Sequence, residues 1–184
     1  MTPPTNPGSL PEHRTYWPVA VGSLSLIYAA IGAILSTLTM IVLWQRASTA
    51  PGPGIAPEVL ALASEQREIY IVVIATSAML LVAALLLGVG AIQLLRRRRV
   101  ARHILIAWAI AKCALGVINA ILLYWNQGLD ERMARVTLGP LGPGQSTAAI
   151  ELVLAALAWM VGPAIFILVW LRRDKIMVET ANWP

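Results

Sequence analysis

The sequence predicts an all-α integral membrane protein, a four-helix antiparallel bundle with both termini cytoplasmic. Three observations lead there. Of the 184 residues, 58% are hydrophobic and 12% are charged, against roughly 45–50% and ~25% in soluble domains. So few charges could not cover a soluble protein of this size, and mean hydropathy is +0.72. The apolar residues are gathered into four long runs, and arginine is concentrated beside alternate ends of them.

A hydrocarbon core of ~30 Å needs about 20 residues of helix. Residues 18–44 and 69–95 each supply 27 without a charge. Residues 104–125 supply 22 with one charge, Lys112, and residues 148–171 supply 24 with one, Glu151. Together they define a transmembrane domain over 18–171. A cleaved signal peptide does not fit the first run, because such apolar regions are about 7–15 residues long. Pro18 suits a first helical turn. Ser146 or Thr147 suits the cap of the fourth helix. Tyr16, Trp17 and Trp170 mark one boundary, and Trp44, Tyr70, Tyr124 and Trp125 the other, as interfacial aromatic belts do.

Residues 1–17 contain Pro3, Pro4, Pro7 and Pro11 and read as a disordered cytoplasmic tail. Residues 172–184 form a second cytoplasmic tail. Pro51-Gly52-Pro53-Gly54 breaks any helix, after which 57–68 reads as helix running into the second span. Residues 126–147 hold a short helix near 130–136, then the run from Gly139 to Gly144 with Pro140 and Pro143.

Orientation follows from Lys and Arg in the flanks. Arg14, Arg96, Arg97, Arg98, Arg99, Arg102, Arg172, Arg173 and Lys175 share one side, and Arg46, Arg67, Arg132 and Arg135 the other. The richer side is cytoplasmic, in a multi-pass cell-membrane protein. Twelve arginines against two lysines fit a GC-rich bacterial genome, and hence a bacterial inner membrane.

Several functions are excluded on composition. The net charge of +5 is explained by topology, so no nucleic-acid partner is expected. The single cysteine, Cys113, excludes an intrachain disulfide and the paired cysteines of four-helix membrane thiol oxidoreductases. His13 and His103 lie outside or at the edge of the runs, so they cannot clamp a haem within the bundle. No histidine–carboxylate cluster offers metal ligands, and no intramembrane serine is accompanied by histidine. Neither metal nor cofactor is expected. Small four-helix multidrug exporters carry a glutamate in their first helix; here that helix has no acid.

Lipid tails are as apolar as leucine, so the helices must associate through close packing and polar contacts. Small residues recur every fourth position in the first helix, at Ser25, Ala29, Ala33 and Thr37, widened by Gly32 and Ser36. Ala84 and Gly88, Gly116 and Ala120, and Ala158 and Gly162 repeat the spacing in the other three.

Two polar features stand out. Lys112 falls within about 3–4 Å of the midplane of its run, where a lysine costs at least ~2.5 kcal/mol. Its expected partners are the ring of Trp108, four residues earlier, and the carbonyl of Trp159, whose helical hydrogen bond Pro163 removes. Ser36, Thr37, Thr76, Ser77 and Asn119 all fall about 7–10 Å outward of the midplane. With Glu151, read as lying in a first turn where the helix dipole favours it, they could form a polar pocket open to the outside. The plainer reading has the hydroxyls bonded to their own helices and Glu151 in water. The run Arg96, Arg97, Arg98 and Arg99, with Arg102, is dense enough to contact anionic lipid headgroups.

The expected function is that of a small non-enzymatic membrane protein, a structural, assembly or regulatory component. Its partners would be the lipid bilayer, anionic headgroups, another membrane protein or a second copy. The alternative is a transport or channel component using Lys112 and the outer polar layer.

Overall fold

The computed structural model describes residues 16–49, 57–138 and 146–184. The helices are α1 (Trp17–Ser48), α2 (Pro57–Leu95), α3 (Val100–Leu138), α4 (Ser146–Leu171) and α5 (Asp174–Ala181). No strand occurs among the described residues. The first four helices are long and apolar enough to cross a membrane. The readings made on residues 1–15, on the 51–54 break and on the 139–144 loop lie outside the described residues, as do the side chains of Ser146 and Thr147.

Two helices run well past their apolar runs. α2 starts twelve residues before residue 69, and α3 ends thirteen after residue 125, about 18–20 Å of extra helix at ~1.5 Å per residue. The short helix expected near 130–136 is therefore the end of α3. Gly128 costs a helix only ~1 kcal/mol, and local contacts offset it. The amide of Gln66 donates to Asp130 Oδ1 at 2.5 Å, and that of Asn126 to Oδ2 at 3.4 Å. Glu131 and Arg135 form an (i, i+4) pair at 3.8 Å, and Leu129 is buried.

A tight turn joins α2 to α3. The Arg97 N–H bonds to the Leu94 carbonyl and the Arg98 N–H to the Gln93 carbonyl, each at 3.0 Å. Arg97 has φ 52°. This pairing, with a left-handed residue between, is the Schellman way of ending a helix.

Each long helix packs mainly on its neighbour in sequence. Close approach of α1 to α2 depends on Gly22: a Cβ there would stand 2.8 Å from Leu95 Cγ and 3.4 Å from the Ala91 carbonyl oxygen. The buried face of α1 is Pro18, Gly22, Ser25, Ala29 and Ser36. The expected stripe of fours is thus corrected. Steps of four residues advance 400° and drift off a face that repeats every 3.6, leaving Ala33 half-buried and Thr37 exposed. Gly162 also falls outside the packing between helices, with no atom of another helix within 4 Å of the place a Cβ would take.

The core is concentrated at one end, around Leu94, Ala101, Leu105, Trp108 and Leu171. The residues read from sequence only as a tail fold back there as α5, burying Ile176 and Thr180. The indole of Trp17 donates to Glu179 Oε2 at 2.6 Å. Its ring meets Trp170 edge-on at 4.5 Å and stacks on Trp183 at 5.5 Å. Arg99 donates from its backbone to the Pro184 carbonyl at 3.2 Å and from Nε to the Trp183 carbonyl. The start of α1, the α2–α3 turn and the end of α4 are thereby fastened together.

Candidate functional site

Lys112 lies on α3 with 8% of its surface exposed. Its Nζ stands 5.9 Å from the centroid of the Tyr28 ring, within the ~6 Å over which a ring face attracts a cation. No carboxylate pairs with it among the described residues. Tyr28 comes from α1, and its hydroxyl donates to the Trp159 carbonyl of α4 at 3.0 Å. α4 stays helical through Pro163, whose missing N–H leaves that carbonyl without its usual partner. Tyr28 also packs edge-on against Trp108, 6.3 Å between centroids, and tilted against Trp159 at 5.5 Å.

The expected partners of Lys112 are corrected accordingly. The carbonyl released by Pro163 goes to the Tyr28 phenol, and the ring beneath the ammonium is Tyr28 rather than Trp108. A rigid phenol carries its hydroxyl across the α1–α4 gap on two side-chain torsions, so it fixes one geometry at little entropic cost. Trp108, 1% exposed, supports Tyr28 from the side. Tyr28 is the residue that sequence reasoning missed. Its signal was depth: a tyrosine about 4–5 Å from the middle of the 18–44 run lies far from the interface where tyrosines belong.

The outer polar layer divides. Ser36, Ser77 and Asn119 line one cavity of about 320 Å³, together with Thr39, Tyr70 and Asn126. Ser36 and Ser77 are buried, and neither hydroxyl is hydrogen-bonded among the described residues. Asn126 Oδ1 is buried without a partner. Asn119 Nδ2 sits 3.5 Å from Met160 Sδ, a weak acceptor. The threonines follow the plainer reading: Thr37 bonds to the Ala33 carbonyl at 2.8 Å, Thr39 to Leu35 and Thr76 to Val72, both at 2.9 Å. Tyr70, expected in an interfacial belt, is buried against this cavity instead.

Lys112, Gly116 and Asn119 share one face of α3, but only Asn119 reaches the cavity. Between the two sites α3 and α4 close up at Gly116, where a Cβ would stand 2.9 Å from Val161 Cγ2 and 3.2 Å from Met160 Cβ. Glu151 joins neither group and is exposed. α4 begins at Ser146, so Glu151 lies beyond the first turn, where the dipole's hold fades.

The arginine run has mixed roles. Arg96 and Arg98 are exposed, and Arg97 and Arg102 are half-buried. Arg99 is engaged by the carboxy-terminal segment, which its charge density alone did not reveal. Among the described residues no three His, Cys, Asp or Glu side chains gather as metal ligands. No family model, curated protein or solved structure matches this chain.

Proposed function

We propose that this is a non-enzymatic membrane protein, a structural, assembly or regulatory component whose partners lie in and beside the bilayer. The observation that carries this reading is the separation of Lys112 from the outer cavity. The lysine is covered by Tyr28, and the close packing at Gly116 stands between it and the polar lining beyond. A buried charge placed so holds helices in register, and among the described residues it faces the Tyr28 ring and does not line the outer cavity. The charge distribution supports cytoplasmic termini in a bacterial inner membrane. The pairing of Gly22 with Leu95 and of Gly32 with Ala84 supports neighbouring helices of opposite direction.

Cysteine accessibility tests it. In a Cys113→Ala background, Asn126→Cys should react with a membrane-impermeant thiol reagent from outside, and Lys112→Cys should not. Equal reactivity of both would contradict the reading.

The second reading, a transport component, is favoured by the 320 Å³ cavity with its unpaired hydroxyls. It requires solute flux that depends on Lys112.

A further inference from the structure

The gap between α1 and α4 forms a groove of about 370 Å³, within the roughly 300–1,000 Å³ usual for ligand sites. Leu24, Ile27 and Ile31 form one wall and Trp159, Pro163 and Phe166 the other. Leu87 and Trp108, each 1% exposed, form the floor. Leu24, Ile27 and Phe166 are 58–66% exposed, so the groove opens sideways, toward whatever surrounds the helices.

Its length identifies the occupant. The α1 wall runs from Val21 to Ile31, about 15 Å of rise, which is half of a ~30 Å hydrocarbon core. Ile31 is at the middle of the apolar run 18–44. The groove therefore covers one leaflet and stops near the midplane, a fit for one acyl chain and too short for a spanning helix. The Tyr28–Trp159 bond also crosses the seam, obstructing anything as wide as a helix. At the outer end of this leaflet Trp17 and Trp170 meet. Just past them, exposed Arg172, Arg173 and Lys175 stand against two acids, Asp174 and Glu179, the second of them held by the Trp17 indole. Arg172 is six residues, or about 9 Å of rise, beyond Phe166.

We propose that the α1–α4 groove binds one acyl chain of an anionic phospholipid from the arginine-rich leaflet, with the phosphate held by Arg172 and Arg173. This rests on the reading of the protein as a component with partners in the bilayer, and it names one of them.

Native mass spectrometry of the full chain, purified from micelles containing equal phosphatidylglycerol and phosphatidylcholine, tests it. One lipid should survive delipidation, with the anionic lipid favoured on the order of tenfold, as expected for two cations near a headgroup. Ile27→Trp, which fills the groove from an exposed position, should abolish retention while melting temperature and helix content are kept. Arg172→Gln with Arg173→Gln should retain a lipid but lose the headgroup preference, and this pair does not touch the core. Retention unchanged by Ile27→Trp, or equal binding of both lipids by the wild type, would overturn the proposal. A photocrosslinker at Phe166 should form lipid adducts. Adducts to a protein helix instead would overturn the lipid assignment and leave the wider reading standing, whereas Lys112-dependent solute flux would overturn the wider reading itself.

Discussion

The phenol of Tyr28 on α1 donates to the main-chain carbonyl of Trp159 on α4 at 3.0 Å, deep within the apolar spans. Two sequence-distant accidents meet in this bond. Pro163 withholds an amide from the carbonyl, and a tyrosine occupies a depth where it needs an acceptor. The same ring then presents its face to the Lys112 ammonium. One side chain thus satisfies a carbonyl, a hydroxyl and a cation, each costly to leave alone in a medium without water.

Removing that hydroxyl should be measurable. Tyr28→Phe keeps the ring and its hold on Lys112 and leaves the Trp159 carbonyl unpaired, at a cost of about 1 kcal/mol. Pro163→Ala returns a helical amide to that carbonyl. In that background Tyr28→Phe should cost clearly less. Equilibrium unfolding in mixed detergent gives both values, and equal costs in the two backgrounds would show the bond and the proline to be unconnected.

Two glycines of α3 should respond oppositely to the same change. At Gly116 a Cβ meets Val161 Cγ2 and Met160 Cβ at 2.9 and 3.2 Å, whereas at Gly128 it meets no neighbouring side chain or helix within 4 Å. Gly116→Ala should destabilise by about 1–3 kcal/mol through overpacking. Gly128→Ala should stabilise by up to about 1 kcal/mol through helix propensity. Thermal unfolding of the two variants in one detergent checks the signs.

The α5 clasp rests on few contacts, so one substitution should loosen it. Trp17→Phe removes the 2.6 Å bond to the Glu179 carboxylate, a charged acceptor worth about 1.5–3 kcal/mol. Hydrogen exchange of residues 174–181 should quicken on the order of tenfold or more, with the middle of α2 unaffected. No change in the α5 amides would show that Trp183 and Arg99 suffice.

Much of the scaffold was legible because it depends on run length and composition. Four uncharged or singly charged runs of 22–27 residues have no other stable form in this composition. The polar sites were less legible, since their partners come from distant elements. Lys112 is conspicuous by its charge, but Tyr28 lies 84 positions earlier, and nothing local ties them. Ser36, Ser77 and Asn119 were placed at one depth by helical rise, and they do meet; Thr37 and Thr76 share that depth but bond to their own helices. Depth is linear in residue number, whereas facing depends on the packing angle of each helix. α5 escaped notice because its eight residues, half of them polar, are too few to span a membrane and form a helix there by docking on the indoles and Arg99.

Topology follows from the arginine asymmetry. Single cysteines at Arg98 and at Gly142, in a Cys113→Ala background, should be labelled from opposite sides of the membrane. Labelling of both from outside would overturn the orientation and the four-span count together.

The central claim is that Lys112 serves the fold and not a solute path. Lys112→Met keeps a flexible stem and removes the charge. Because a buried charge is expensive even when partnered, this variant should be neutral or stabilising. Lys112→Glu should be damaging, since the negative face of Tyr28 repels a carboxylate. The decisive measurement is thermal stability in detergent alongside ion and solute flux in proteoliposomes for wild type and Lys112→Met. Retained stability with no flux from either protein is the predicted result. Measurable wild-type flux that Lys112→Met abolishes, with the fold intact, would contradict it.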